Sequence, residues 1–233
     1  DSWLQMDKIG HAFSAYQTGL LGMDIMKWSG VPKKKAVWYG GAYGAIFLTT
    51  IEILDGHSAE WGASWGDLLA NTSGSALLIA QELFWKEQRI QFKYSFYRSE
   101  YADMNPDLLG ENTIQQALKD YNAQTIWLSN NLHGFLPKSK LPKWLNIAVG
   151  YGADGMTSGT LNDQTGTIEG CCIANPRTRQ FYLSLDVDIR RIDTGSKFFN
   201  KALKVLSFIK IPAPAIMFDN KETITFYPFY YGQ

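Results

Sequence analysis

The chain has 233 residues, 45% hydrophobic and 19% charged, which is enough to bury a substantial core and too apolar for a disordered polyelectrolyte. Its 22 Lys and Arg balance 22 Asp and Glu, so no net field steers it to nucleic acid, and a nucleic-acid partner is the reading that composition argues against. Aromatic residues make up 14%, a share that suits an amphipathic surface meeting lipid or a large partner.

The opening "DSWLQMDK" has no initiating Met, basic n-region or apolar h-region. The expectation is an exported chain whose signal peptide is already removed or was never present. From Asp7, apolar residues at Ile9, Phe13, Tyr16, Leu20 and Met23 recur at helical spacing, and Gly30 and Pro32 stop the run. After the basic turn "PKKK", Ala36 to Ile51 carries no charge before Glu52 and Asp55. That length suits a buried or membrane-dipping helix but falls short of the roughly 18 apolar residues of a clean span. A third helix is expected from about Ser64 through "WGDLLANTSGSALLIAQELFWKEQ", with Asp67, Asn71, Ser75 and Glu82 along one stripe. Gly40, Gly41, Gly44 and Gly74 would let these helices approach closely.

The second half has a different period. "RIQFKYSFY", "KWLNIAVGYG" and "RQFYLSLDVDI" alternate as strands with one apolar face, and "ETITFYPFYY" reads as an edge strand because of Pro228. Thr113 to Leu132 reads as a helix on Ile114, Leu118, Tyr121 and Leu128, and "SKFFNKALKVLSFIK" as an amphipathic helix with a basic edge. The expected fold is α+β: an N-terminal three-helix bundle over residues 1–100, then a mixed region over 101–233 with antiparallel strands and two amphipathic helices. The strands are too few for a closed eight-stranded barrel that spans a membrane alone. Cys171 and Cys172 are adjacent, which makes a disulfide between them strained. Inert thiols, a vicinal disulfide and an extra metal site stay open for them.

On the first helix Asp7 and His11 are four apart, with Lys8 beside them. Glu52 and Asp55 close the second helix, followed by His57 and Glu60, and Asp67 and Asn71 open the third. Antiparallel packing would gather these groups at one end of the bundle. Oxygen and nitrogen donors converging there suit a divalent metal ion, with Asp7, His11, Glu52, Asp55, Asp67 and Asn71 as the candidate ligands. Lys8 offers the alternative, since a network of Lys8, Asp7, Glu52 and Asp67 with His11 as donor is satisfied without an ion. No His-Glu-x-x-His, nucleophile elbow or P-loop is present, so no catalytic residue is assigned. His57 and His133 read as loop or cap residues.

"DKIGH", "TIEILDG" and "SWGDLLANTSG" together resemble VanZ-like bacterial envelope proteins. They are more similar still to a family of predicted periplasmic lipoproteins in which a D-K-x-x-H helix precedes E-x-x-D and D-x-x-x-N-x-x-G elements. The resemblance covers roughly residues 3 to 100 and falls on Asp7, Lys8, His11, Glu52, Asp55, Asp67, Asn71 and Gly74. VanZ-like proteins carry an Arg where this chain has "WGASW", so an antibiotic-related role does not transfer. The resemblance implies a helical bundle in the bacterial envelope, periplasm or outer membrane. The leading expectation is a non-catalytic, membrane-associated accessory subunit of an outer-membrane assembly or transport complex, whose partners are the membrane and outer-membrane proteins. The alternatives are a metal-dependent hydrolase of lipid or cell-wall material and a small-ligand or lipid-binding module.

Overall fold

The computed structural model describes residues 2–55, 57, 64–159 and 177–231, without the side chains of Ser2 and Asp55. Glu60, Cys171, Cys172 and most of the polar loop before them lie outside the described residues. The fold is α+β, with an N-terminal helical region and a six-stranded antiparallel sheet. The chain divides into two compact units, Asp7–Phe92 and Asp1–Met6 with Lys93–Gln233.

In the helical unit, α1 spans Met6–Trp28. A basic turn at Lys33–Lys35 and a wider π turn at Ala36–Gly40 lead into α2, Gly41–Asp55. The third helix, α3, spans Trp65–Phe84 and is opened by Ser64, whose side chain accepts from the Asp67 amide. Small residues set the spacing of these helices. A Cβ on Gly44 would lie 1.9 Å from the Ala15 carbonyl oxygen, and one on Gly74 would lie 2.1 Å from that of Ala12. Only glycine permits backbones that close.

In the other unit, β1 (Ile90–Phe96), β2 (Gln124–Asn131), β3 (Leu145–Asp154), β4 (Thr178–Val187), β5 (Ala213–Asp219) and β6 (Ile224–Tyr230) lie side by side in chain order. Strand β1 starts in the helical unit and ends in this one. Among the described residues, the longer helices of this unit are α4 (Thr113–Lys119) and α5 (Lys197–Val205), beside single-turn helices at Tyr101–Met104, Pro106–Leu109 and Leu132–Phe135. The expected helix over Thr113–Leu132 is therefore corrected: it ends at Lys119, and β2 follows. The Asp120 side chain turns the chain by accepting from the Asn122 amide, and Gln124–Asn131 then extends.

The sheet encloses polar groups. Lys93 and Asp186, both fully buried, pair at 2.7 Å, and Lys93 also donates to the Val187 carbonyl. Ser129 Oγ donates to Asp186 and accepts from Asn146, which in turn accepts from Asn131. Lys210 Nζ lies 3.7 Å from Asp186 and 5.0 Å from the centre of the Trp127 ring, and it donates to the carbonyls of Leu185 and Ile211. Beside this network Trp127, Tyr182, Met217 and Tyr230 form the apolar part of the interior. Lys93, Lys210 and Asp186 thus share one buried network of ion pairs and hydrogen bonds, which lowers the cost of holding charge away from water.

Candidate functional site

The predicted ligands other than Asp55, whose side chain is not described, meet at one end of the helical unit. Lys8 Nζ lies 3.1 Å from Asp67 Oδ1 and 3.9 Å from Asp7 Oδ2. His11 Nδ1 is 3.1 Å from Asn71 Oδ1, and its Nε2 faces Glu52 Oε1 at 3.5 Å and Asp7 Oδ1 at 3.8 Å. Glu52 also accepts from the Ser64 amide at 3.4 Å, which ties the end of α2 to the start of α3. Glu52, Asp67 and Asn71 are buried, and Asp7, Lys8 and His11 are partly so. The positions follow from the sequence: i and i+4 put Asp7 and His11 on one face of α1, and Asp67 and Asn71 on one face of α3.

The chemistry of this arrangement turns on His11 and Lys8. With Nδ1 committed to Asn71, Nε2 is the face of the ring turned to the carboxylates. As a donor it closes a hydrogen-bonded network, and as a lone pair it is a metal ligand. Ligand atoms of Asp7, His11 and Asp67 all lie within 4.8 Å of one another. Two ligands on one ion at bonds of about 2.1 Å lie at most about 4.2 Å apart, so a small contraction would bring this triangle to ligand spacing. Lys8 stands in the way, because its ammonium already neutralises Asp67. The centre gathers three carboxylates, of Asp7, Glu52 and Asp67, around one ammonium and one imidazole. Asn71 Nδ2 is buried without a hydrogen-bond partner.

A second polar knot, which sequence reading missed, joins α1 and α3 to Gln88 and the start of β1. Gln81 Nε2 donates to Gln88 Oε1 and the Ile90 carbonyl, both at 2.9 Å, and Gln81 Oε1 accepts from the amides of Arg89 and Ile90. Gln88 donates to Leu78 O and Glu82, and Tyr16 donates to Gln88. Glu82 accepts from Lys27 at 3.3 Å. The signal in the sequence was the polar stripe of α3, which continues through Glu82 to this knot. His57 Nδ1 lies 2.6 Å from the Ile53 carbonyl, a local contact away from the centre. His133 belongs to the other unit, where its Nδ1 is buried without a hydrogen-bond partner.

Outside these two knots and the basic turn at Lys33–Lys35, much of the exposed surface of the helical unit is apolar. Leu21 and Ile25 on α1, Ile46 and Leu54 on α2, and Leu69 and Phe84 on α3 each expose more than half of their surface. The continuous helical run Lys33–Leu54 is long and apolar enough to cross a membrane, with only 28% of its apolar window buried. The uncharged stretch Ala36 to Ile51 alone falls short of a span; the helix continues into the flanking turns and lengthens it.

Residues 2–82, about a third of the chain, match a family described as "Predicted periplasmic lipoprotein (DUF2279)". The match takes in every residue of the polar centre, and it is to this family rather than to the VanZ-like proteins. No curated protein and no solved structure matches the chain significantly. The family description and the envelope motifs agree on the compartment: the chain is a protein of the bacterial cell envelope.

Proposed function

We propose that the chain is a non-catalytic, membrane-associated envelope protein, an accessory subunit of an outer-membrane assembly or transport complex. Its three helices form a bundle pinned by the centre of Asp7, Lys8, His11, Glu52, Asp67 and Asn71. The observation that carries this reading is the apolar exterior of the helical unit, where Leu and Ile side chains lie exposed on all three helices while Glu52, Asp67, Asn71 and Glu82 are buried. In water that distribution is costly, because exposed hydrocarbon is unfavourable by about 25 cal/mol per Å². In a bilayer it is the stable one. A core helix of a water-soluble protein is mostly buried, whereas Lys33–Leu54 is mostly exposed, and its 22 residues rise about 33 Å against a hydrocarbon core of about 30 Å.

Alkaline carbonate extraction of native membranes tests the membrane half. The protein stays in the pellet on this reading, and full release to the supernatant would refute it. Purification in gentle detergent followed by mass spectrometry tests the subunit half: an outer-membrane protein in fixed stoichiometry supports it, and a protein that returns alone counts against it.

The triangle of Asp7, His11 and Asp67 supports a second reading, a metal-dependent envelope hydrolase acting on lipid or cell-wall material. There Asp7, His11 and Asp67 would hold a divalent ion that supplies Lewis acidity, and Glu52 would serve as the general base. Elemental analysis of the purified protein separates the two. One tightly held ion that is lost in His11→Ala supports the metal reading, and a metal-free preparation removes it.

A further inference from the structure

The sheet unit also exposes an apolar face. Along β3, Asn146, Ala148, Gly150 and Gly152 are buried while Val149 is exposed; along β4, Gln180, Tyr182, Ser184 and Asp186 are buried while Phe181, Leu183 and Leu185 are exposed. The pairing registers align the outward residues into rows. Leu128 pairs with Val149, Val149 with Leu183, Leu183 with Ile216, and Ile216 with Phe226, so one apolar row crosses five strands. Two residues along, Tyr151, Phe181, Phe218 and Ile224 form a second row. A sheet in water turns such rows inward and its polar residues outward. Here the buried Lys93–Asp186 pair occupies the inner face.

We propose that this outer face is a lipid-contacting band, and that the hydrocarbon of a phospholipid bilayer is what covers it. The inference rests on the membrane association proposed above and names the surface of the sheet unit that meets lipid. Three observations favour acyl chains as the occupant. Apolar residues face outward at every second position of β3, β4 and β5, as on the lipid-facing side of membrane β-walls, while the inner face encloses the Lys93–Asp186 pair beside Trp127, Tyr182 and Tyr230. The band is bounded by charge: at one end Arg179 exchanges hydrogen bonds with Asn220, next to Lys221, and at the other Asp188 carries Arg190 and Arg191 beside Trp144. The length also fits entry into a leaflet, because the outward apolar residues Leu145 to Tyr151 on β3 and Phe181 to Val187 on β4 occupy about 20 Å of strand against a hydrocarbon core of about 30 Å. The sheet is also bent like a barrel wall, since Thr125 on β2 and Tyr230 on β6 share a hydrogen bond of 2.8 Å across the inner face. Beyond the first edge, the Lys210 amide donates to the Tyr94 carbonyl and covers part of it.

Single cysteines placed in the full chain, with Cys171 and Cys172 replaced by Ser, test this. Val149→Cys, Leu183→Cys and Phe226→Cys report the band, Lys221→Cys the turn, and Ile46→Cys the helical unit. Each is labelled with an environment-sensitive fluorophore and reconstituted in phosphatidylethanolamine–phosphatidylglycerol vesicles. Quenching by doxyl-labelled acyl chains is then compared with quenching by aqueous iodide. The band labels are expected to show blue-shifted emission, strong acyl-chain quenching and several-fold weaker iodide quenching than the Lys221 label. Band labels as open to iodide as Lys221 would overturn the inference, including the case in which the natural cover is another protein. Lipid quenching at Ile46 without quenching in the band sinks this inference and leaves the membrane reading of the helical unit standing. Band quenching without quenching at Ile46 does the reverse. Using three band positions keeps the result readable if one variant fails to fold.

Discussion

Lys8→Met removes the cation that the centre holds closest while keeping most of the volume of its stem. Its ammonium is 3.1 Å from Asp67 Oδ1, with side-chain exposures of 29% and 9%, so water screens the pair only in part. At an effective dielectric of about 20 the direct attraction is roughly 5 kcal/mol, of which desolvation and the freezing of the Lys stem offset a large share. Breaking a fully buried pair costs about 3–5 kcal/mol; the partial exposure of Lys8 reduces this to about 2–3 kcal/mol. Asp67, Asp7 and Glu52 would then face one another with only His11 between them. Reversible urea unfolding in a mild detergent, followed by helical circular dichroism, reads the loss. The Asp67→Asn variant and the double variant complete a mutant cycle with a coupling above about 1 kcal/mol. A Lys8→Met protein within about 0.5 kcal/mol of wild type, with no coupling to Asp67, would refute the argument that this pair pins the helices.

Other expectations follow from the same geometry. Gly74→Ala places a methyl group where the Ala12 carbonyl oxygen already sits, 2.1 Å away, and should cost about 1–3 kcal/mol in the same assay; a neutral result would mean that the helices are not this close. Lys93→Met leaves the buried Asp186 with Lys210, 3.7 Å away, as its remaining cation and should destabilise the sheet unit by about 2–3 kcal/mol, read by sheet circular dichroism during unfolding. Burial pushes the Asp188 carboxyl up, but the hydrogen bond and charge of Arg190, with Lys93 and Arg191, outweigh it and hold the group below the usual carboxylate range. A depressed folded value means that the stabilisation is present above the unfolded pKa of about 3.9 and is lost as pH falls through the folded value. The stability gap between wild type and Asp188→Asn should therefore be full at neutral pH and close in acid; a gap independent of pH would contradict it.

The legible parts of the sequence were those with one clear period. The spacing of Asp7 and His11, of Asp67 and Asn71, and the placing of Glu52 at a helix end located the centre from residue types alone, and the structure brings these residues together. Strands β3 and β4 were legible because Ile147, Val149, Leu183 and Leu185 alternate with Asn, Gly, Ser and Asp. Strand β2 was not, because its inward residues include Trp127 beside Ser129 and Asn131, so its apolar residues fall on both faces and mimic a helical spacing from Thr113 onward. Strand β5 was hidden for a related reason: Ala213, Ala215 and Met217 face one way, Ile216 and Phe218 the other, and both sides are apolar. Which face of each strand is enclosed could not be read from alternation, since the period is the same either way. That required the burial of Lys93, Asp186 and Lys210, a pairing among residues far apart in the chain.

On the membrane reading, the apolar exterior of this envelope protein belongs in lipid while its polar centres stay enclosed. Sedimentation velocity of the purified full chain, compared in detergent-free buffer and after transfer into phospholipid vesicles, tests it most directly. Heterogeneous aggregates without lipid and quantitative flotation with the vesicles are expected. A single sharp boundary for a stable 26.3 kDa monomer in plain buffer, with no flotation, would contradict it.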